Sequence, residues 1–345
     1  MSARTSLPLD QASSLVARLS RSSSVRNQSW IRIRPPLPAS NPLITPRTSG
    51  SAGEVSPTIA VVAHRKKTLG AGLDRLRVLL SEQDVGELIW HEVPKSRKAP
   101  KKVRKSLKAG ADLVFVWGGD GMVQRCADAM AGSGVPMAIL PAGTANLFAT
   151  NLGIPIDLDE SVRIGFQGRR AELDLGVLNG EHFAVMAGAG FEAEMIAEAD
   201  GKAKRKLGKL GYVKAAVRHV GGPLVPMKVK VDGATWFEGR ASCLLLGNVG
   251  TIAGGVEAFD DARPDDGYLE VGLSTAKGPI QWARVLGRMA AGRSEDSPFV
   301  RVTRARKVSA RFGSPLTYEL DGGDRAATTR LKAEVAARAL TVCLP

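Results

Sequence analysis

Phosphate chemistry needs main-chain N–H groups aimed at one point and no side chain in the way. Two stretches of this 345-residue chain offer that. Gly118-Gly119-Asp120-Gly121 follows the apolar run Asp112–Trp117 and precedes a helical pattern, and Leu140-Pro141-Ala142-Gly143-Thr144-Ala145-Asn146 sits in the same strand-to-helix setting. A carboxylate at Asp120, beside bound phosphates, can hold Mg²⁺ and orient a transferred group. A tight turn with a capping Asp would produce the same tetrapeptide, and Thr144 can either cap the next helix or reach a phosphate or ribose. Two such turns on successive strands define one crevice, as a nucleotide requires. A third junction, His64-Arg65-Lys66-Lys67-Thr68-Leu69-Gly70, brings Lys66 and Lys67 into a loop where they can neutralise phosphate charge or be solvated.

These turns need elements to carry them. With 44% hydrophobic and 24% charged residues the composition is globular, and the length suffices for two cores. There is no uninterrupted apolar run long enough for a membrane-spanning helix. The three cysteines form no CxxC pair, which argues against a disulfide framework or a cysteine zinc site and favours a reducing compartment. Residues 1–56 are rich in Ser, Arg and Pro and read as a disordered tail, of the composition also found in transit peptides.

From Thr58 short apolar strands alternate with helical patterns, which predicts an open parallel sheet, α/β, over 57–167. After Gly168 the texture turns to short strands with Asn179-Gly180 and Asp232-Gly233 at hairpin positions. This predicts a larger β-sandwich over 168–345, whose last strand can return to the first domain. The expected fold class is thus α/β plus β, an N-terminal open parallel-sheet nucleotide-binding domain followed by a β-sandwich domain.

The stretch from Leu113 to Pro155, with GGDG and LPxGTAN, resembles the catalytic domain of the diacylglycerol kinase family, which also includes sphingosine and ceramide kinases. The likeness extends to Gly188-Ala189-Gly190-Phe191, Asp265-Asp266-Gly267 and Asp321-Gly322-Gly323-Asp324. It implies ATP-dependent phosphorylation of a lipid hydroxyl, diacylglycerol by default, with Mg²⁺. It implies that Gly118, Gly119, Asp120, Gly121, Met122, Gln124, Gly143 and Thr144 meet the nucleotide. Asp266, with the backbone carbonyl of Tyr268, is implied as a magnesium site. Asp321 or Asp324 is implied as the base for the lipid hydroxyl, although both also suit a turn at a strand end. Three positions depart from the family pattern: the first loop lacks Asn-Pro, Met122 stands where Thr is usual, and Gly323 stands where an acid is usual.

A kinase of a membrane lipid must visit the bilayer. The net charge of +14 is concentrated in the first third of the chain, and two stretches, Ala99–Ala109 and Lys202–Arg218, are basic enough to meet anionic headgroups. The expectation is a cytoplasmic protein, peripherally associated with the membrane, with a membrane lipid as substrate. No nucleic-acid partner is expected, because only 5% of residues are aromatic and no stacking motif is present. Oligomeric state is not legible. The competing readings are an NAD kinase-like phosphotransferase, which shares GGDG, and a catalytically silent binder of nucleotide or anionic lipid.

Overall fold

The structure, a computed structural model, describes residues 56–190, 224–252, 256–291, 293 and 296–345. Residues 1–55 of the tail, the basic stretch Lys202–Arg218 and Phe191 lie outside the described residues.

The first part alternates strand and helix: β1 (Thr58–His64), α1 (Gly72–Ser81), β2 (Glu87–Val93), α2 (Ala99–Lys108), β3 (Leu113–Gly118), α3 (Asp120–Met130), β4 (Met137–Pro141), α4 (Leu147–Asn151) and α5 (Leu158–Gln167). The four strands pair in parallel in the order β4-β3-β1-β2. Every residue of β3 and β4 is buried. Such strands must be covered on both faces, and helices do this. Alternate residues Ile59, Val61, Phe115 and Trp117 pack with Leu76 and Leu80 of α1 and Leu158 and Val162 of α5. Their neighbours Ala60, Val62, Val114 and Val116 pack with Val103 of α2 and Val123, Cys126 and Met130 of α3.

The second part is β-rich: β5 (Arg169–Leu178), β6 (Glu181–Phe183), β7 (Met186–Ala189), β8 (Val225–Val231), β9 (Ala234–Ala241), β10 (Cys243–Gly247), the short pair β11 (Thr251–Ile252) and β12 (Val256–Glu257), β13 (Leu269–Ser274), β14 (Val300–Ala305), β15 (Lys307–Leu320) and β16 (Gly323–Leu344). Among the described residues one helix, α6 (Gly278–Ala290), interrupts it. The sandwich interior is made by Met227 and Val229 of β8, Leu244 and Leu246 of β10, Val271 of β13, and Val308, Ala310 and Leu320 of β15.

Both predicted Asx-Gly hairpins form, with positive φ at Asn179 (50°) and Gly180 (89°) and at Asp232 (48°) and Gly233 (91°). A third of the same kind joins β15 to β16, with Asp321 at φ 46° and Gly322 at 75°. The apolar runs Val308–Phe312 and Leu316–Leu320 belong to one bulged strand, β15. The long β16 pairs with β15 and β5 and ends with Val342 parallel to Met137 of β4. The sheet therefore runs without a break from the parallel strands into the sandwich.

Candidate active site

β3 and β4 are adjacent and parallel, so the turns that follow them emerge side by side at the carboxyl edge of the sheet. They pack backbone to backbone. The Ala142 amide donates to the Gly118 carbonyl (2.9 Å). A β-carbon on Gly143 would lie 2.4 Å from the Gly119 Cα, and one on Gly119 would lie 2.9 Å from the Gly143 Cα. Neither position has room for a side chain. The turns thus form one continuous main-chain wall.

Asn146 holds the second turn closed. Its Oδ1 accepts the Gly143 amide (2.7 Å), and its Nδ2 donates to the carbonyls of Gly143 (3.1 Å) and Pro141 (3.3 Å). It sits at φ 49°, in the left-handed region that Asn tolerates better than most residues. The helix after it starts at Leu147, later than expected, and Thr144 does not cap it. Asp120 reaches across from the first turn, its Oδ1 accepting the Leu147 amide (2.5 Å). Thr144 is left exposed on the turn. Burial raises the Asp120 carboxyl above its ordinary range, and the backbone amides around it oppose that shift.

Not every expected nucleotide contact lies on this wall. Met122 is buried, with its side chain in the core against Gly118. Its amide donates to the Gly119 carbonyl (2.8 Å). Gln124 is buried too, and its Nε2 donates to the His182 carbonyl (2.6 Å). The cause is that α3 is covered on more than one side, so Met122 and Gln124 are both enclosed although they point different ways around the helix. The loop with Lys66 and Lys67 lies at the same sheet edge. The Trp117 indole donates to the Lys67 carbonyl (2.9 Å), while both lysine side chains are exposed.

The late acidic hairpin closes on the site from the sandwich. Asp321 is buried and its carboxylate accepts three amides, from Ala184 (2.8 Å), Val185 (2.9 Å) and Met186 (2.9 Å). Burial pushes its carboxyl up to about 6; the three amides act against this and the charge of Asp120 adds to it. Asp120 and Asp321 are therefore within electrostatic reach of each other, from opposite parts of the fold. Asp324 is exposed at the start of β16. Its cross-strand partner is Glu319 of β15. Glu319 is 2% exposed, and neither carboxylate oxygen has a hydrogen-bond partner. Its burial, together with Asp324 and Asp321, pushes its carboxyl up to about 7. Nothing in the sequence singles out Glu319, since an acid alternating with Tyr318 and Leu320 has the look of a solvent-facing strand position.

Asp266 and Tyr268, expected at a magnesium site, are engaged with basic side chains and with each other. The Asp266 carboxylate is paired with the Arg304 guanidinium and accepts the Tyr268 amide (3.0 Å). The Tyr268 ring lies 4.9 Å from the guanidinium carbons of both Arg304 and Arg306. Asp266 is thus paired with an organic cation, and among the described residues no group of three or more His, Cys, Asp or Glu side chains is placed to hold a metal ion.

Two glycine turns packed backbone to backbone at the edge of a parallel sheet, with a carboxylate of the β-sandwich within electrostatic reach, are an arrangement that suits phosphoryl transfer. Comparison with known proteins makes the class specific. Residues 61–178 match the diacylglycerol kinase catalytic domain, and residues 185–344 match the YegS C-terminal NAD kinase beta sandwich-like domain. The probable lipid kinase YegS-like protein of Enterobacter sp. (strain 638) is 30% identical over 216 residues, 60% of this chain and 72% of the relative. The probable lipid kinase YegS of Escherichia fergusonii is 31% identical over 183 residues, 51% of this chain and 61% of the relative. The fold is shared with a solved diacylglycerol kinase of Bacillus anthracis str. Sterne, at TM-score 0.64 and 20% identity, covering 85% of this chain and 98% of that one. It is shared more loosely with yeast NADH kinase, at TM-score 0.50 and 10% identity, covering 85% and 84%. The chain belongs to the diacylglycerol kinase family of lipid kinases, in its YegS-like branch.

Proposed function

We propose that this protein transfers the γ-phosphoryl group of ATP to the hydroxyl of a membrane lipid, with diacylglycerol, giving phosphatidic acid, as the first substrate to test. The observation that carries this is the backbone-to-backbone packing of the Gly118–Gly121 turn against Gly143, with Asp321 of the sandwich within electrostatic reach of Asp120. In this reading residues 57–167 bind the nucleotide and residues 168–345 present the lipid. The amides of the two turns hold the phosphates without side-chain interference, and Lys66 and Lys67 add positive charge at the rim. Mg²⁺, bound with the nucleotide, would meet Asp120 and offset phosphate charge. Asp321, held by three amides, keeps the acidic side of the cleft in place. The lipid must lose its hydroxyl proton as phosphorus–oxygen bonding advances, so a carboxylate is needed there.

Access to the lipid is proposed to be peripheral. No helix among the described residues is long and apolar enough to cross a membrane. The exposed face of α2 carries Lys101, Arg104, Lys105 and Lys108, and the helix has no acidic residue, which suits an anionic, cytoplasmic bilayer surface.

The test is labelled-ATP transfer to a panel of lipids in mixed micelles. Wild type is expected to phosphorylate at least one glycerolipid, and Asp120→Asn to lower kcat about 100-fold or more through lost charge at the phosphates. Consumption of NAD in place of every lipid overturns the proposal, as does full turnover by Asp120→Asn.

A further inference from the structure

We infer that the outer face of the β-sandwich carries a second anion site, built from Lys228, Lys230 and Arg311 around Ser309, and that its ligand is a small soluble compound with a multiply charged phosphate group. The inference does not depend on the kinase reading. Strand alternation sends Met227 and Val229 of β8, Val308 and Ala310 of β15, and Leu331 and Ala333 of β16 into the sandwich core. Their chain neighbours therefore share the opposite face. Register lines these neighbours up across the three strands. Lys228, Arg311 and Arg330 form one transverse row, and Lys230, Ser309 and Lys332 form the next. Five of the six side chains are cationic; Lys228 is half-buried and the other residues are exposed.

Like charges directly opposite on paired strands repel, so Arg311 between Lys228 and Arg330 destabilises the bare sheet. Protein acids relieve this only in part. Glu238 of β9 pairs with Lys228 (2.6 Å), and Glu334 of β16 pairs with Lys307 (3.3 Å). Among the described residues no ion pair reaches Lys230, Arg311, Arg330 or Lys332. An anion from solution supplies the missing charge.

The rows enclose room for one. Lys228, Lys230, Ser309 and Arg311 line a cavity of about 360 Å³, at the small end of the range for small-molecule sites. A guanidinium, two ammonium groups and a hydroxyl together supply the charge-assisted donors that phosphate oxygens take. A bilayer suits this face less well. Binding at a membrane interface draws on apolar side chains that enter the headgroup layer. Among the described residues the exposed large hydrophobics are Val78, Leu88, Ile156 and Ile280, all outside these strands. Ser309 and Arg311 lie near the start of β15, whereas Asp321 follows its end, so the cavity is not part of the cleft described above.

The experiment titrates pyrophosphate into the full chain by calorimetry, at an ionic strength matched with chloride. Wild type, the double variant Lys230→Gln with Arg311→Gln, and Gly143→Ala are compared, the last to perturb the glycine turns instead. Wild type is expected to show a binding event that Gly143→Ala keeps and that the double variant weakens about 10-fold or more. Without ligand the double variant is expected to melt at or above the wild-type temperature, since Arg330 loses a like-charged neighbour. Unchanged binding in the double variant overturns the site, as does a wild-type event that only Gly143→Ala removes. A lower melting temperature for the unliganded double variant also overturns it, by giving these cations a structural role. Sedimentation with phosphatidylglycerol vesicles is expected to be equal for wild type and the double variant. Loss of vesicle binding in the double variant, with pyrophosphate binding kept, overturns the soluble ligand in favour of a membrane-facing surface.

Discussion

Asp321 shows how one residue serves geometry and electrostatics together. Asp-Gly is a two-residue hairpin signal, and both residues take the positive φ that the turn needs. The same turn aims the Asp321 carboxylate at three amides of the segment leading into β7. Burial nonetheless leaves the hairpin acids protonated to higher pH than in the unfolded chain, Glu319 moving from its ordinary 4.5 to about 7 and Asp321 from 3.8 to about 6. Between those values the unfolded chain has released protons that the native state retains, so raising the pH favours unfolding. The contribution is destabilising, grows from about pH 4 and is complete above about pH 7. Wild type is therefore expected to lose melting temperature across this window more steeply than Glu319→Gln, the difference being largest near the upper end. Parallel melting curves against pH for the two proteins would contradict it.

At the scale of elements, the decisive contact is between two turns. Gly119 and Gly143 can touch because neither has a β-carbon. Gly143→Ala places a methyl 2.4 Å from the Gly119 Cα and 2.5 Å from Asn146 Oδ1, and backbone on backbone has no rotamer with which to yield. The substitution is expected to cost about 1–3 kcal/mol of stability by overpacking. It should weaken ATP binding more than Gly121→Ala, because a β-carbon on Gly121 meets nothing within 4 Å. Denaturant unfolding and nucleotide titration of the two variants check the order. That the two turns mattered was legible in the sequence, from glycines between strand and helix. That they lie in contact was not, since it depends on β3 pairing with β4. Likewise Asp120 was legible as a cap or a phosphate-site acid, but the helix it caps belongs to the other turn.

For the whole molecule, the continuous sheet makes burial a shared property of both parts. Cys126, Cys243 and Cys343 are all free and buried, one among the helices of the first part and two on strands of the second. Burial pushes the thiols of Cys243 and Cys343 up to about 12 and that of Cys126 higher still. Thiolate is the reactive form, so native protein should be inert to a thiol reagent at neutral pH, and all three thiols should react together on unfolding. Rapid labelling of any one of them in the native state would show that part of the sheet opens separately.

Local pattern was enough to establish the alternating first part, the β texture of the second, the Asx-Gly hairpins and the glycine turns between strand and helix. Each depends on residues a few positions apart: strand burial, helical period, and the positive φ that Gly and Asn accept. Tertiary structure decided the rest, because the deciding partners are distant in the chain. Arg304 is 38 residues from Asp266, the carboxylate it pairs with. The amides that pin Asp321 come from 135 to 137 residues earlier. Glu319 is an ordinary strand acid until folding buries it without a partner, and only the packed sheet distinguishes it from a residue facing water.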